Sequence, residues 1–226
     1  MKVAGILGGL GPQSTALFYE EIIRLAQARK EVSYPRMIIN SMSVWDFSSK
    51  MKDETQLIEL MSKGIAMIEK QVDFLAMVCN TAHSIIQPLR AATRLPLLAI
   101  QEEVVAKIRE DGLKKVGILG TQITTTSGMY QQELDKYGIA HEELPARMLE
   151  PFDDLIFNEM LHGNSYAMMH LKLKEYAQLL HRQGCEGIIL GCTEFPLFLT
   201  QQHVEVPLYP STQILAASVM KHCLEA

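Results

Sequence analysis

The sequence predicts an α/β protein made of two similar doubly wound parallel-sheet domains related by a pseudo-twofold. Short apolar runs closed by glycine alternate with stretches of helical periodicity, the pattern of strands buried on both faces. The opening run Lys2-Val3-Ala4-Gly5-Ile6-Leu7-Gly8 returns as Lys115-Val116-Gly117-Ile118-Leu119-Gly120, with Gly5 and Gly117 112 residues apart. Other landmarks keep that spacing: Thr15 with Thr126, Tyr19 with Tyr130 and Pro96 with Pro207 at 111, and Cys79 with Cys192 at 113. Self-similarity at one offset marks a duplicated unit.

In order along the first half, Val3 to Leu7 reads as a strand, and Ser14 to Ala28 as a helix with Leu17, Ile22 and Leu25 on one stripe. Met37 to Asn40 is a second strand, Thr55 to Gln71 a helix, and Phe74 to Val78 a third strand ending at Cys79. Ala82 to Ala92 is helical, shortened or kinked by Pro88, and Leu97 to Ile100 is a fourth strand. The stretch Ser41 to Asp53 lacks a clear period and reads as a long loop near the site, holding the only tryptophan. The second half repeats the scheme, with Tyr130 to Tyr137 helical and Leu171 to Gln183 a long helix before the Gly187 to Leu190 strand. The expected domains are 1–105 and 106–209, with the C-terminal helix, about 210–226, packing back on the first. The active site is expected in the cleft between them.

The chain has 226 residues, 48% hydrophobic and 21% charged, enough apolar surface to exclude disorder as its main state. With 21 basic and 26 acidic side chains the net charge is −5, and no Lys/Arg block is present. That argues against a nucleic-acid or anionic-membrane partner. The apolar start is broken by Gly8, Gly9, Gly11 and Pro12, which does not suit a signal peptide, and no window is apolar for ~18 residues. A cytoplasmic location is expected. The four cysteines lack C-x-x-C or zinc spacing, so free thiols and no metal are expected.

Two cysteines stand where chemistry belongs. Cys79, in Met77-Val78-Cys79-Asn80-Thr81-Ala82-His83, and Cys192, in Leu190-Gly191-Cys192-Thr193-Glu194, each follow a buried strand and precede a predicted helix. Ligands of open parallel sheets gather outside the carboxyl ends of the strands, and a helix N-terminus favours a thiolate. Thr81 and Thr193 read as N-caps, with nearby N–H groups to hold a carboxylate. Two thiols placed by a pseudo-twofold suit removal of a proton from one face of a carbon and its return from the other. His83 reads as a structural histidine able to tune Cys79, and Glu194 as either a ligand for an ammonium or a cap. Cys185 and Cys223 read as structural. The glycine run is not G-x-G-x-x-G, since Ser14 stands where the third glycine belongs; it reads as a turn whose N–H groups hold a small carboxylate.

These elements together resemble the aspartate/glutamate racemase superfamily, in its cofactor-independent aspartate racemase branch. The resemblance rests on Gly8-Gly9-Leu10-Gly11-Pro12 with Thr15, Cys79-Asn80-Thr81-Ala82-His83, Gly120-Thr121 with Ser127-Gly128 and Tyr130, and Gly191-Cys192-Thr193-Glu194. It implies an isomerase acting on a small amino-acid substrate, with Cys79 and Cys192 as its acid/base pair and neither pyridoxal phosphate nor metal. Leu10, Thr15, Asn80, Thr81, Thr121, Thr193 and Glu194 would bind substrate, and the enzyme would be a homodimer. One departure concerns specificity. The family pattern has a basic residue beside an Asp after the second strand, where this chain has Asp46-Phe47, and another before the long helix, where only His162 is available. A broader substrate set is therefore expected, with Trp45 and Phe47 lining an apolar side-chain pocket. The alternatives are a cis–trans isomerase or decarboxylase of a small dicarboxylate, and a non-catalytic binder of small ligands.

Overall fold

The computed structural model describes residues 1–29, 34–162 and 166–224, the side chains of 159–162 excepted. The chain divides into two compact units: Met1–Glu103 together with everything from Thr212 on, and Val104–Ser211.

The first unit starts with β1 (Ala4–Gly8), α1 (Pro12–Ala28) and β2 (Met37–Ser41), followed by α2 (Val44–Lys50) and α3 (Glu54–Ala66). Then come β3 (Phe74–Met77), a 3₁₀ segment Thr81–Ile85, α4 (Ile86–Ala92) and the start of α5 (Ile100–Glu110). Its sheet is parallel in the order β2-β1-β3. Every residue of β1 and β3 is buried, as parallel strands covered on both faces require. The unit is completed by α10 (Ser211–Leu224), whose Cys223 carbonyl accepts the Lys2 amide at 3.0 Å.

The second unit holds β4 (Lys115–Gly120), α6 (Gln122–Thr126), α7 (Met129–Asp135), β5 (Ala140–Glu143), α8 (Ala146–His162), α9 (Tyr166–Arg182), β6 (Gly187–Gly191) and β7 (Leu208–Pro210). Its sheet, β5-β4-β6-β7, is again wholly parallel. The repeat extends to single hydrogen bonds. Asp73 Oδ2 accepts the Val3 amide, and Glu186 Oε2 accepts the Lys114 amide, both at 2.6 Å, so an acidic residue before β3 and β6 ties down the start of the neighbouring strand. The amides of Leu75 and Ile188 donate to Pro96 and Pro207 carbonyls at 2.8 and 2.9 Å.

Three sequence expectations are corrected. Leu97 to Ile100 is not a strand: only Leu97 bridges β3, and Ala99 already accepts the amides of Glu102 and Glu103 to begin α5. The stretch Ser41 to Asp53 is not a loop but contains α2. Ser43 caps that helix by accepting the Asp46 amide, and Phe47 and Met51, one turn apart, are both buried. Two turns are too few for a period to show in the sequence. Finally, the partner of Thr15 in the second unit is Thr124 rather than Thr126. Each packs under the glycine ending its strand, where an added Cβ would lie 2.6 Å from Thr15 at Gly8 and 3.0 Å from Thr124 at Gly120.

The turn after β1 has a further demand on its backbone. Gly9 has φ +78°, and a Cβ there would lie 2.2 Å from the Met42 carbonyl oxygen. Gly9→Ala is expected to cost at least about 2 kcal/mol, read as a lowered urea midpoint. An unchanged midpoint would show that the turn tolerates a side chain.

Candidate active site

In each sheet the chain leaves its first strand toward one neighbour and later returns on the other side. The gaps between β1 and β3, and between β4 and β6, are therefore switch points, where connections diverge and leave a crevice at the carboxyl ends. The residues singled out from the sequence fall there. Around the first point lie the Gly8–Gly11 turn after β1 and Cys79 just after β3; around the second lie Thr121 after β4 and Cys192 after β6.

In the first unit, Thr15 Oγ1 accepts the Gly9 amide at 2.8 Å and reaches the Gly11 carbonyl at 3.3 Å, so this hydroxyl fastens the turn. Leu10 is 1% exposed, its side chain part of the core. Asn80 and Thr81 are buried directly behind Cys79. His83 Nδ1 lies 2.7 Å from the Cys79 carbonyl oxygen and donates to it, which fixes the backbone that carries the thiol. Burial strips water from the ring and pushes its pKa down to about 4, so the imidazole is neutral at pH 7.

Around Cys192 the second unit uses different chemistry. Glu194, itself buried, accepts a hydrogen bond from Cys192 Sγ at 3.3 Å and from Thr193 Oγ1 at 3.1 Å, both on Oε2. Thr121 caps α6 by accepting the Thr124 amide, and its Oγ1 lies 3.0 Å from Thr124 Oγ1. Tyr130 is buried and hydrogen-bonded to Ser211, and burial pushes its hydroxyl pKa up. Ser211 Oγ in turn donates to the Leu190 carbonyl at 2.7 Å, bracing the strand that leads to Cys192.

The expectation that Thr81 and Thr193 cap helices is corrected. Asn80 and Glu194 occupy the cap positions, and neither makes a side-chain capping bond. Each cysteine leads into a 3₁₀ segment, Thr81–Ile85 or Phe195–Leu197, rather than an α-helix. Both segments contain or precede a proline in a first helical turn, Pro196 and Pro88, where its missing N–H costs no intrahelical bond. The predicted apolar pocket is also corrected: Phe47 is 2% exposed in the core while Trp45 is 59% exposed, so they do not line one surface. The side chain of His162 lies outside the described residues.

Sequence reasoning missed Asp153 and Ser211. Asp153, on α8, is buried and accepts the Gln122 amide at 2.7 Å, closing the turn after β4 from 31 residues away. No local motif signals either. Cys79 and Cys192 are 8% and 7% exposed, whereas Cys185 and Cys223 are more deeply enclosed, and burial raises the latter pair to about 11.

These features define a two-unit α/β protein with a cysteine at each switch point. A family model described as Asp/Glu/Hydantoin racemase matches residues 7–219, and the chain belongs to that family of isomerases. It is 29% identical, over 96% of both chains, to the broad specificity amino-acid racemase RacX of Bacillus subtilis (strain 168). It is 30% identical to the glutamate racemase of Persephonella marina, over 65% of this chain and 54% of that protein. The structure of an aspartate racemase homologue from Pyrococcus horikoshii OT3 superposes with a TM-score of 0.81 at 27% identity, covering both chains completely. The Picrophilus torridus aspartate racemase, at 22% identity and a TM-score of 0.79, shares the fold over 99% of this chain and 94% of its own.

The buried His83 makes stability depend on pH. The unfolded ring ionises near 6.5 and the folded ring only near 4, so between these values the unfolded chain alone gains the proton. The contribution is complete above pH 6.5 and lost as pH falls toward 4, by up to about 3 kcal/mol. Thermal unfolding at pH 7 and 5 should show a smaller drop in His83→Asn, which keeps a donor near the Nδ1 position without the titration. An equal drop would remove His83 as the cause.

Proposed function

We propose that the protein inverts the α-carbon of small amino acids, with Cys79 and Cys192 as a two-base pair acting on one substrate carbon. The observation that carries this reading is the placement of one incompletely buried cysteine at the carboxyl-end switch point of each of two duplicated sheets. Membership of a racemase family and the broad-specificity relative support it.

In the proposed step one sulfur starts as thiolate and the other as thiol. The thiolate takes the α-proton, and the C–H electron pair passes onto the substrate carboxylate as an enolate-like anion. The thiol then delivers its proton to the opposite face of the carbon, so the sulfurs end with their states exchanged. The α-proton is weakly acidic, and developing charge on the carboxylate needs donors held in place beforehand. Backbone and side-chain groups of Asn80, Thr81, Thr121 and Thr193 are the proposed donors. Glu194 accepts the Cys192 Sγ–H bond and so orients that thiol, whose proton goes to the substrate carbon. The reaction proceeds in a homodimeric, cytoplasmic enzyme on this reading.

Exchange in deuterated water, followed by proton NMR, tests the pair. Wild type should wash deuterium into the α-position of both enantiomers, and Cys79→Ser and Cys192→Ser should each lose racemisation by at least about 10²-fold. Residual exchange in a variant should favour one enantiomer, and the opposite one in the other variant. Equal exchange of both enantiomers by either variant would refute the two-base assignment.

The substrate set is proposed to extend to neutral amino acids. Position 47 carries a buried phenylalanine where the family pattern has a cation, so no charge from that residue meets an acidic side chain. In a panel of aspartate, glutamate, methionine and leucine, turnover of the last two is expected. Activity confined to aspartate and glutamate would refute this.

A further inference from the structure

The second unit contains a cavity of about 430 Å³ between α9 and the segment that leads into β7. From α9 it is lined by Lys174, His181 and Arg182, at i, i+7 and i+8 on one helical face. From the facing segment it is lined by Gln202 and His203. It lies at the amino end of the strands: Arg182 is five residues before β6, and Val206, also lining the cavity, is two before β7. Cys192 follows the other end of β6, which spans roughly 16 Å. The cavity is therefore separate from the switch point and is not explained by it.

Elsewhere in the same unit Lys107, Lys115, Lys136 and Lys172 each pair with a carboxylate, while Lys114 and Arg147 form no ion pair among the described residues. Among the described residues neither Lys174 nor Arg182 forms an ion pair, and Glu205 is the one acidic residue lining the cavity. Basic residues in a last helical turn complement the helix dipole, but Lys174 lies two turns upstream, beyond that influence. The histidines are oriented by their own bonds. His203 Nδ1 accepts the Thr200 amide at 3.1 Å, which leaves Nε2 as the protonated nitrogen and a donor even in the neutral ring. His170 holds the same ring edge-on at a centroid distance of 4.6 Å.

We propose that this cavity binds a small phosphate-bearing anion. Cationic donors from a helix and neutral donors from the facing segment approach from different sides, which suits a tetrahedral oxyanion better than a planar carboxylate. The overall charge is −5, whereas Lys174 and Arg182 against the single carboxylate of Glu205 leave the cavity lining net positive.

Isothermal titration calorimetry of the full chain at low ionic strength tests this with inorganic pyrophosphate as the probe, and with citrate as the carboxylate comparison. Saturable binding at one site per chain is expected for wild type. It should weaken by about tenfold or more in Lys174→Ala/Arg182→Ala, and stay unchanged in Lys52→Ala/Arg94→Ala, which removes the same charge at positions in the other unit. In wild type, pyrophosphate should also slow phenylglyoxal modification of Arg182, read by peptide mass, a measurement that needs no variant to fold. Absence of saturable binding, equal weakening in both double variants, unprotected Arg182, or tighter binding of citrate than of pyrophosphate would each overturn the assignment.

Discussion

Two pairs of parallel strands, β1 with β3 and β4 with β6, bear the rest of the molecule. Each pair is buried on both faces, and each is drawn close to the layer above it by a glycine in its first strand. A Cβ at Gly5 would lie 2.8 Å from Val72, and one at Gly117 would lie 2.8 Å from Leu180. A larger residue at either position would require those side chains to shift. With the strands held in this register, their carboxyl ends stop side by side, Leu7 beside Met77 and Gly120 beside Gly191. The chain then departs in opposite directions, and the crevice so formed receives Cys79 in one unit and Cys192 in the other.

Duplication preserved that frame more faithfully than it preserved the surroundings of the thiols. The acidic ties to Val3 and Lys114, the bonds to Pro96 and Pro207, and the threonines under Gly8 and Gly120 are shared. Beside the cysteines the units part company. Cys79 has a neutral, buried histidine fastened to its carbonyl, while Cys192 has a carboxylate on its sulfur. On the proposed reading a site that treats mirror-image substrates need not itself be symmetric: both enantiomers would pass through one planar anion, and each thiol would need only its own means of holding and releasing a proton. Neither cysteine leads directly into an α-helix, so no α-helical N-terminus adjoins either sulfur.

The cysteines also sort by environment in a way that composition does not reveal. Cys185 and Cys223 are enclosed by apolar surroundings that keep them protonated well above neutral pH. They behave as small core residues. The phosphate site proposed at the opposite end of the second sheet draws on the same architecture in reverse. Strand ends at the amino side carry the returning helix α9 and the segment before β7, and there two cations, Lys174 and Arg182, line one cavity.

The sequence by itself determined the repeat, the α/β class and the two cysteine-bearing strand ends, because all three are written in local patterns: apolar runs, terminal glycines and a recurring offset. It also carried the resemblance to a racemase family through contiguous motifs such as Gly191-Cys192-Thr193-Glu194. Only the tertiary structure decided that Ser41 to Asp53 contains a helix, since two turns hold too few buried positions to establish a period. It alone placed Phe47 in the core, ended the fourth strand at a single bridge and brought Asp153 to the turn after β4. These outcomes depend on which distant group offers the better partner for a backbone amide or an apolar face, and that competition is settled only when the layers pack.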